Sequence, residues 1–189
     1  MNDFQVEIRK CLEVLSAGGL ILYPTDTIWG IGCDVTDEDA VNKVYTLKGM
    51  PQGRPMVCLV AHDAMLERHV EVVPDLAWEI TDLATKPTTI VYDRPRGFAP
   101  GLIPGDHSIA IRVASDKFCR YLINAFKKPL VSTSARREGM PDPRHFGEIP
   151  EAILKGVDYV VNLHREKRRM TPSSIIALGI DGTVKVIRE

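Results

Sequence analysis

No stretch of the chain approaches the ~20 apolar residues that a helix needs to cross a bilayer. The longest run, Met56 to Ala61, is far shorter, which excludes a helical membrane protein. Cysteine is sparse and scattered: Cys11, Cys33, Cys58 and Cys119 form no C-x-x-C pair, and three of them fall inside apolar patterns. Neither a disulfide framework nor a thiolate zinc site fits that spacing, so reduced core thiols are expected. The five histidines show no H-x-x-x-H spacing, and no protein-built transition-metal site is predicted. A G-x-x-x-x-G-K-[ST] loop is missing too, which removes the P-loop mode of phosphate binding. Excess charge is also absent. With 24 basic against 25 acidic side chains and a formal net charge of −1, the chain has no bulk attraction for nucleic acid, and any polyanion contact must be local. The amino terminus, Met1-Asn2-Asp3-Phe4, has an early acid and an amphipathic pattern where a signal peptide would show basic and then apolar residues. A cytoplasmic, unprocessed chain is therefore expected. No internal repeat, heptad run or low-complexity segment is visible.

What is present suffices for one sizeable core: 189 residues, 44% of them hydrophobic, read as a single domain over 1–189. Phe4, Ile8, Cys11, Leu12 and Leu15 recur at helical spacing, and Gly18-Gly19 stops that helix near Ala17. Leu20 to Tyr23 reads as a buried strand closed by Pro24, with Thr25 to Gly32 as a loop at its end. Thr36 and Asp39 resemble a capping box ahead of a second helix that buries Val41, Val44, Tyr45 and Leu47 and ends at Lys48-Gly49. Further strands are predicted at Met56–Val60, Thr88–Tyr92, Ser108–Val113, Leu130–Ser132, Tyr159–Asn162, Ser173–Leu178 and Val184–Arg188. Helices are predicted behind Pro74 and from about Asp116 to Phe126, and the Pro/Gly-rich Arg94–Asp106 segment as an ordered loop. Several strand pairs lack a helical crossover. This indicates an α/β fold with a mixed parallel/antiparallel twisted sheet covered by helices, in preference to a purely parallel sheet.

The segment Tyr23-Pro24-Thr25-Asp26-Thr27-Ile28-Trp29-Gly30-Ile31-Gly32 crowds hydroxyls, a carboxylate and glycines directly after a buried strand. Ligands often sit beside strand ends. Thr25 and Thr27 offer hydrogen bonds to a small polar substrate, and the glycines let the backbone approach it. Local chemistry alone equally accommodates an ordinary turn in which Asp26 bonds its own backbone.

This string closely resembles the signature of the YrdC-like family, an apolar strand running into P-T-[DE]-T-x-[YFW]-G-[LI]-G. The resemblance continues in the family's order through Leu47-Lys48-Gly49-x-Pro51, Ile109-Ala110-Ile111-Arg112-Val113, Ser132-Thr133-Ser134-Ala135 and Thr171-Pro172-Ser173-Ser174-Ile175-Ile176. It implies an open α/β fold around a large, positively lined cavity. It further implies an L-threonylcarbamoyladenylate synthase, a nucleotidyltransferase forming threonylcarbamoyl-AMP and pyrophosphate from L-threonine, bicarbonate and ATP. Mg²⁺ would arrive with the nucleotide, and the product would feed tRNA threonylcarbamoyl-transfer proteins. A YciO-like paralogue that binds double-stranded RNA, tRNA or a nucleotide is the alternative.

Carried over by motif, Lys48, Arg54 and Arg112 are the implied catalytic residues. Lys48, Arg54, Ser132, Ser134 and Arg136 are implied around ATP, and Thr25, Thr27, Arg112 and Ser173 around threonine. Three positions depart from the pattern. Met50 stands where the K-x-R motif has arginine, Arg136 where S-x-N has asparagine, and Ala114 where proline follows the Arg112 strand. Arg54 or Arg136 could restore the charge lost at Met50, but an arginine approaching from elsewhere does so at another angle, and arginine offers donors only where asparagine offers both a donor and an acceptor. The basic run His164–Arg169 could touch tRNA or nucleotide phosphates, or form a solvated loop. The chain is expected to end within this one domain, without a second in-chain lid.

Overall fold

Phe4, Ile8, Cys11 and Leu15 fall on one face of α1 (Asp3–Ser16), and that face is what the fold buries. In the computed structural model, which describes residues 3–168 and 171–189, Phe4 meets the edges of Phe118 and Tyr121 on α5 (Lys117–Phe126) at 5.5 and 5.7 Å. Glu7 is buried on the same helix. It accepts hydrogen bonds from the Tyr159 hydroxyl at 2.6 Å and the Asn162 N–H at 2.8 Å, tying α1 to the chain far downstream.

The remaining elements are β1 (Ile21–Tyr23), β2 (Gly30–Gly32), α2 (Glu38–Lys48), β3 (Val57–Val60), α3 (Asp63–His69), α4 (Asp75–Leu83), β4 (Thr88–Asp93), β5 (Ser108–Val113), β6 (Leu130–Val131), β7 (Thr133–Ser134), α6 (Glu151–Gly156), β8 (Tyr159–Val160), β9 (Ser174–Leu178) and β10 (Val184–Arg188). The strands divide between two sheets. One has the order β7-β2-β1-β8, the other β10-β9-β4-β5-β3-β6. Both are mixed: β1 is antiparallel to β2 but parallel to β8, and β3 is parallel to β5 but antiparallel to β6. The mixed α/β architecture matches the expectation from the sequence.

Local chemistry accounts for most boundaries. Asp37, not Thr36, caps α2, its carboxylate accepting from the Ala40 N–H at 3.0 Å, while Asp34 holds Thr36 through both its N–H and its hydroxyl. Gly49 ends α2 at φ 68°, a left-handed conformation that costs glycine little. The segment expected as one loop from Thr25 to Gly32 ends in a strand, because Gly30 to Gly32 pairs with both β1 and β7. α3 and α6, at seven and six residues, were too short to give a helical period in the sequence. Arg169, the end of the basic run, lies outside the described residues, as do Met1 and Asn2. Among the described residues no helix is long and apolar enough to cross a membrane.

The chain changes sheets across a single residue. β6 ends at Val131 in the larger sheet, β7 begins at Thr133 in the smaller one, and Ser132 between them donates its N–H to Val57 at 2.7 Å. Gly32 lies under this crossing: a Cβ there would stand 2.6 Å from a ring carbon of Tyr23 and 3.1 Å from the Val131 carbonyl. Gly32→Ala is therefore expected to destabilise the protein by about 1–3 kcal/mol through overpacking, read as a lower urea midpoint in chemical denaturation.

Candidate functional site

The turn after β1 closes on itself before any ligand enters. The Thr25 hydroxyl donates to the Ile28 carbonyl at 2.7 Å and accepts from the Thr27 N–H at 3.1 Å, with the Thr27 hydroxyl 3.0 Å away. Thr25 is thereby buried as a turn former, and Thr27 and Asp26 face Arg112 on β5. The Arg112 guanidinium donates to Asp26 at 2.9 Å, and to the hydroxyls of Thr27 and Thr89 at 3.3 and 3.4 Å. The second carboxylate oxygen of Asp26 accepts from the N–H and hydroxyl of Ser115. The Arg112 and Asp26 side chains are only 4% and 6% exposed, so this is a desolvated ion pair. Removing one member of such a pair leaves the other charged and buried, at about 3–5 kcal/mol.

A second thread runs from Thr89 to the end of the chain. The Thr89 and Ser173 hydroxyls lie 2.7 Å apart, and Arg188 on β10 donates to the Ser173 carbonyl at 2.9 Å and to its hydroxyl at 3.4 Å. Arg188 was not among the residues expected from the sequence. Its direction comes from a register shift in β10 between Val186 and Arg188. Strict alternation would turn Ile187 and Arg188 to opposite faces; with the bulge, Ile187 lines an apolar pocket and Arg188 the polar cavity beside it. Burial lowers the Arg188 pKa from its ordinary value. An arginine near the end of a Val-Ile strand was the only signal in the sequence.

The opposite wall is the segment after β6. Ser132, Ser134 and Arg136 line the cavity, and the Nε of Arg136 donates to Asp142 at 2.7 Å. Lys48 lies underneath. Its ammonium, on a residue 2% exposed, donates to the carbonyls of Ser134 and of Arg136, the latter at 2.8 Å, while the Glu138 N–H returns a bond to the Lys48 carbonyl at 2.8 Å. Arg54 pairs with Glu138 at 3.2 Å, more than half exposed. Met50 packs half-buried against the core. Of the residues expected at the site, Thr27, Arg112, Ser132, Ser134, Arg136 and Ser173 are brought together around the cavity, whereas Lys48, Arg54 and Thr25 do not line it.

The cavity measures about 170 Å³ and opens to solvent. It shares Pro55, Met56, Val57 and Ile175 with an adjoining pocket of about 220 Å³, walled by Val91, Leu102, Ile109, Ala110 and Ile187. Three guanidiniums face the polar side. Asp26 neutralises Arg112 and Asp142 neutralises Arg136, and no carboxylate among the described residues pairs with Arg188. Two buried donors, Trp29 Nε1 and Arg112 Nε, belong to residues in the cavity wall and have no hydrogen-bond partner. An unmet buried donor costs about 1–3 kcal/mol, and these two atoms, themselves out of contact with solvent, are a cost that the wall carries.

These features define an α/β domain with an arginine-lined polar cavity beside an apolar pocket. The chain belongs to the Sua5/YciO/YrdC family, described as Telomere recombination, whose pattern matches residues 13–189. A threonylcarbamoyl-AMP synthase of Stenotrophomonas maltophilia (strain K279a) is 35% identical over 162 residues, 84% of this chain and 87% of that protein. P. abyssi Sua5 in complex with L-threonine superposes with a TM-score of 0.81 at 22% identity; the match covers 94% of this chain and 52% of that one. This chain thus spans about half the length of that relative. E. coli YciO superposes with a TM-score of 0.83 at 24% identity, covering 98% and 89% of the two chains.

Burial, with Arg136 nearby, lowers the Lys48 pKa from 10.5 to about 8. Between those values the unfolded chain holds a proton that the folded one has released, so this group's contribution to stability rises with pH across that window. Urea denaturation at pH 7 and pH 10 is expected to show wild type gaining stability relative to Lys48→Met over that interval.

Proposed function

We infer that this chain is a threonylcarbamoyl-AMP synthase. The observation that carries the reading is the identity to the Stenotrophomonas maltophilia enzyme of that name over most of both chains, and the cleft supplies chemistry that suits the reaction. L-threonine, bicarbonate and ATP combine to threonylcarbamoyl-AMP, pyrophosphate and water. The threonine amine forms a carbamate, whose oxygen attacks the α-phosphorus of ATP as pyrophosphate leaves.

L-threonine occupies the 170 Å³ cavity, with the hydroxyls of Thr27 and Ser173 and the positive charge of Arg112 at the end that takes its carboxylate. Asp26 holds the guanidinium in place. Arg136, Arg188, Ser132 and Ser134 face the phosphates, where positive charge and oriented donors stabilise the charge that develops as pyrophosphate departs. Arg188, which forms no ion pair with a carboxylate among the described residues, adds its charge to that of Arg136. The adjoining apolar pocket takes the adenine ring. Lys48 acts through the carbonyls of the loop that it holds, and Arg54 reaches a phosphate only by leaving Glu138.

Mg²⁺ accompanies ATP as part of the substrate. Among the described residues no group of three or more His, Cys, Asp or Glu could hold a metal, so no step is assigned to a protein-held ion. The chain acts as one domain in the cytoplasm, and its product passes to proteins that transfer the threonylcarbamoyl group to tRNA.

Purified protein supplied with ATP, Mg²⁺ and bicarbonate is expected to release pyrophosphate only when L-threonine is added, with threonylcarbamoyl-AMP detected by mass spectrometry. Absence of that product from folded protein would overturn the reading and leave the YciO-like binding paralogue, for which the altered Met50 and Arg136 positions speak. Ala110→Phe, which fills the apolar pocket, is expected to raise the KM for ATP about tenfold while leaving L-threonine binding within twofold, as measured by steady-state kinetics and calorimetry.

A further inference from the structure

The two ion pairs in the cleft differ in a way that sorts their roles. Arg112 and Asp26 are almost wholly withdrawn from water, and Ser115 adds two hydrogen bonds to the carboxylate. Separating them would strand two buried charges, so this pair stays closed through any binding event. Arg136 and Asp142 are each 32% exposed, a degree at which water readily replaces either partner. Both of these residues line the cavity, in the wall that also contains Ser132 and Ser134.

The backbone is tied unequally at the two ends of that second pair. Arg136 is fixed at its carbonyl by Lys48, and its own N–H donates to Ser134 at 2.8 Å. Asp142 stands between Pro141 and Pro143 in a stretch without helix or strand, and proline has no N–H with which to tie such a stretch down. A second carboxylate of the same segment, Glu138, covers Arg54 in the same manner. The segment thus holds an anion of its own against a cation of the cavity wall, at the position where an anionic ligand would sit.

We propose that Asp142 is an internal counter-ion that determines phosphate affinity: it occupies Arg136 while the cleft is empty and is exchanged for a phosphate oxygen when a polyphosphate binds. The proposal rests on reading the cleft as a nucleotide site and names the residue that sets how tightly its phosphate end closes. The exchange moves no covalent bond. It makes the cleft selective for ligands of high charge, because a singly charged anion gains little by replacing a carboxylate already in place, whereas a polyphosphate also reaches Arg188.

Calorimetric titration with pyrophosphate, in the absence of threonine, tests this without requiring turnover, so a failure of the synthase reading and a failure of this one are read in separate experiments. Asp142→Asn is expected to tighten pyrophosphate binding by roughly fivefold. Asp142→Ser, a second neutral variant, should do the same should the first fold poorly. In an Arg136→Gln background the gain should fall well below about fivefold, because the direct contact is gone and only the longer-range attraction of the counter-ion to Arg188 and Lys48 remains. Unchanged or weaker binding in both neutral variants would overturn the proposal, showing that Asp142 only steadies the arginine. An equal gain in the Arg136→Gln background would overturn it as well, as would the absence of pyrophosphate binding in every variant.

Discussion

The cleft is organised around the buried contact between Arg112 and Asp26. One guanidinium on β5 draws in the carboxylate and hydroxyl of the turn after β1 and the Thr89 hydroxyl on β4, so the two sheets meet on a charge that neither could bury alone. The pair is costly to desolvate, and its geometry is correspondingly strict: three acceptors hold the guanidinium while Ser115 supports the carboxylate. A charge that is neutralised and held on several sides gives the cavity wall polarity without drawing in every anion in solution.

The same economy of charge extends along the cleft. Among the described residues three arginines meet two carboxylates there, so the site carries only a modest positive excess, in keeping with a chain whose formal net charge is −1. Attraction is local, and it sits beside an apolar pocket that shares a wall with the polar cavity. The bulge in β10 accompanies the division, with adjacent side chains, Ile187 and Arg188, lining different compartments. A ligand with a charged end and a flat apolar end is thereby matched by two surfaces rather than one.

Much of this was legible before the structure. Period-two and period-3.6 patterning located the strand at Ser108–Val113 and the helices carrying Leu15 and Val44, and the string from Tyr23 to Gly32 marked one wall of the cleft. Family motifs placed Thr27, Arg112, Ser132, Ser134 and Ser173 near one another, which the fold achieves by bringing the segments after β1 and β6, strand β5 and the residue before β9, from two sheets, around one cavity. Lys48 was visible as a motif residue but not as a buried one. Its burial depends on where the Ser134–Glu138 segment lies, a partner nearly ninety positions away.

The sequence by itself determined the mixed α/β class, the helices and strands with strong hydrophobic periodicity, and the family, because those properties depend on residue type and order along the chain. Tertiary structure alone decided the division of strands between two sheets, the pairings of Asp26 with Arg112 and Asp142 with Arg136, and the entry of Arg188 into the cavity. Pairings of that kind depend on distances between groups remote in sequence and on a one-residue register shift, and neither leaves a mark on local composition.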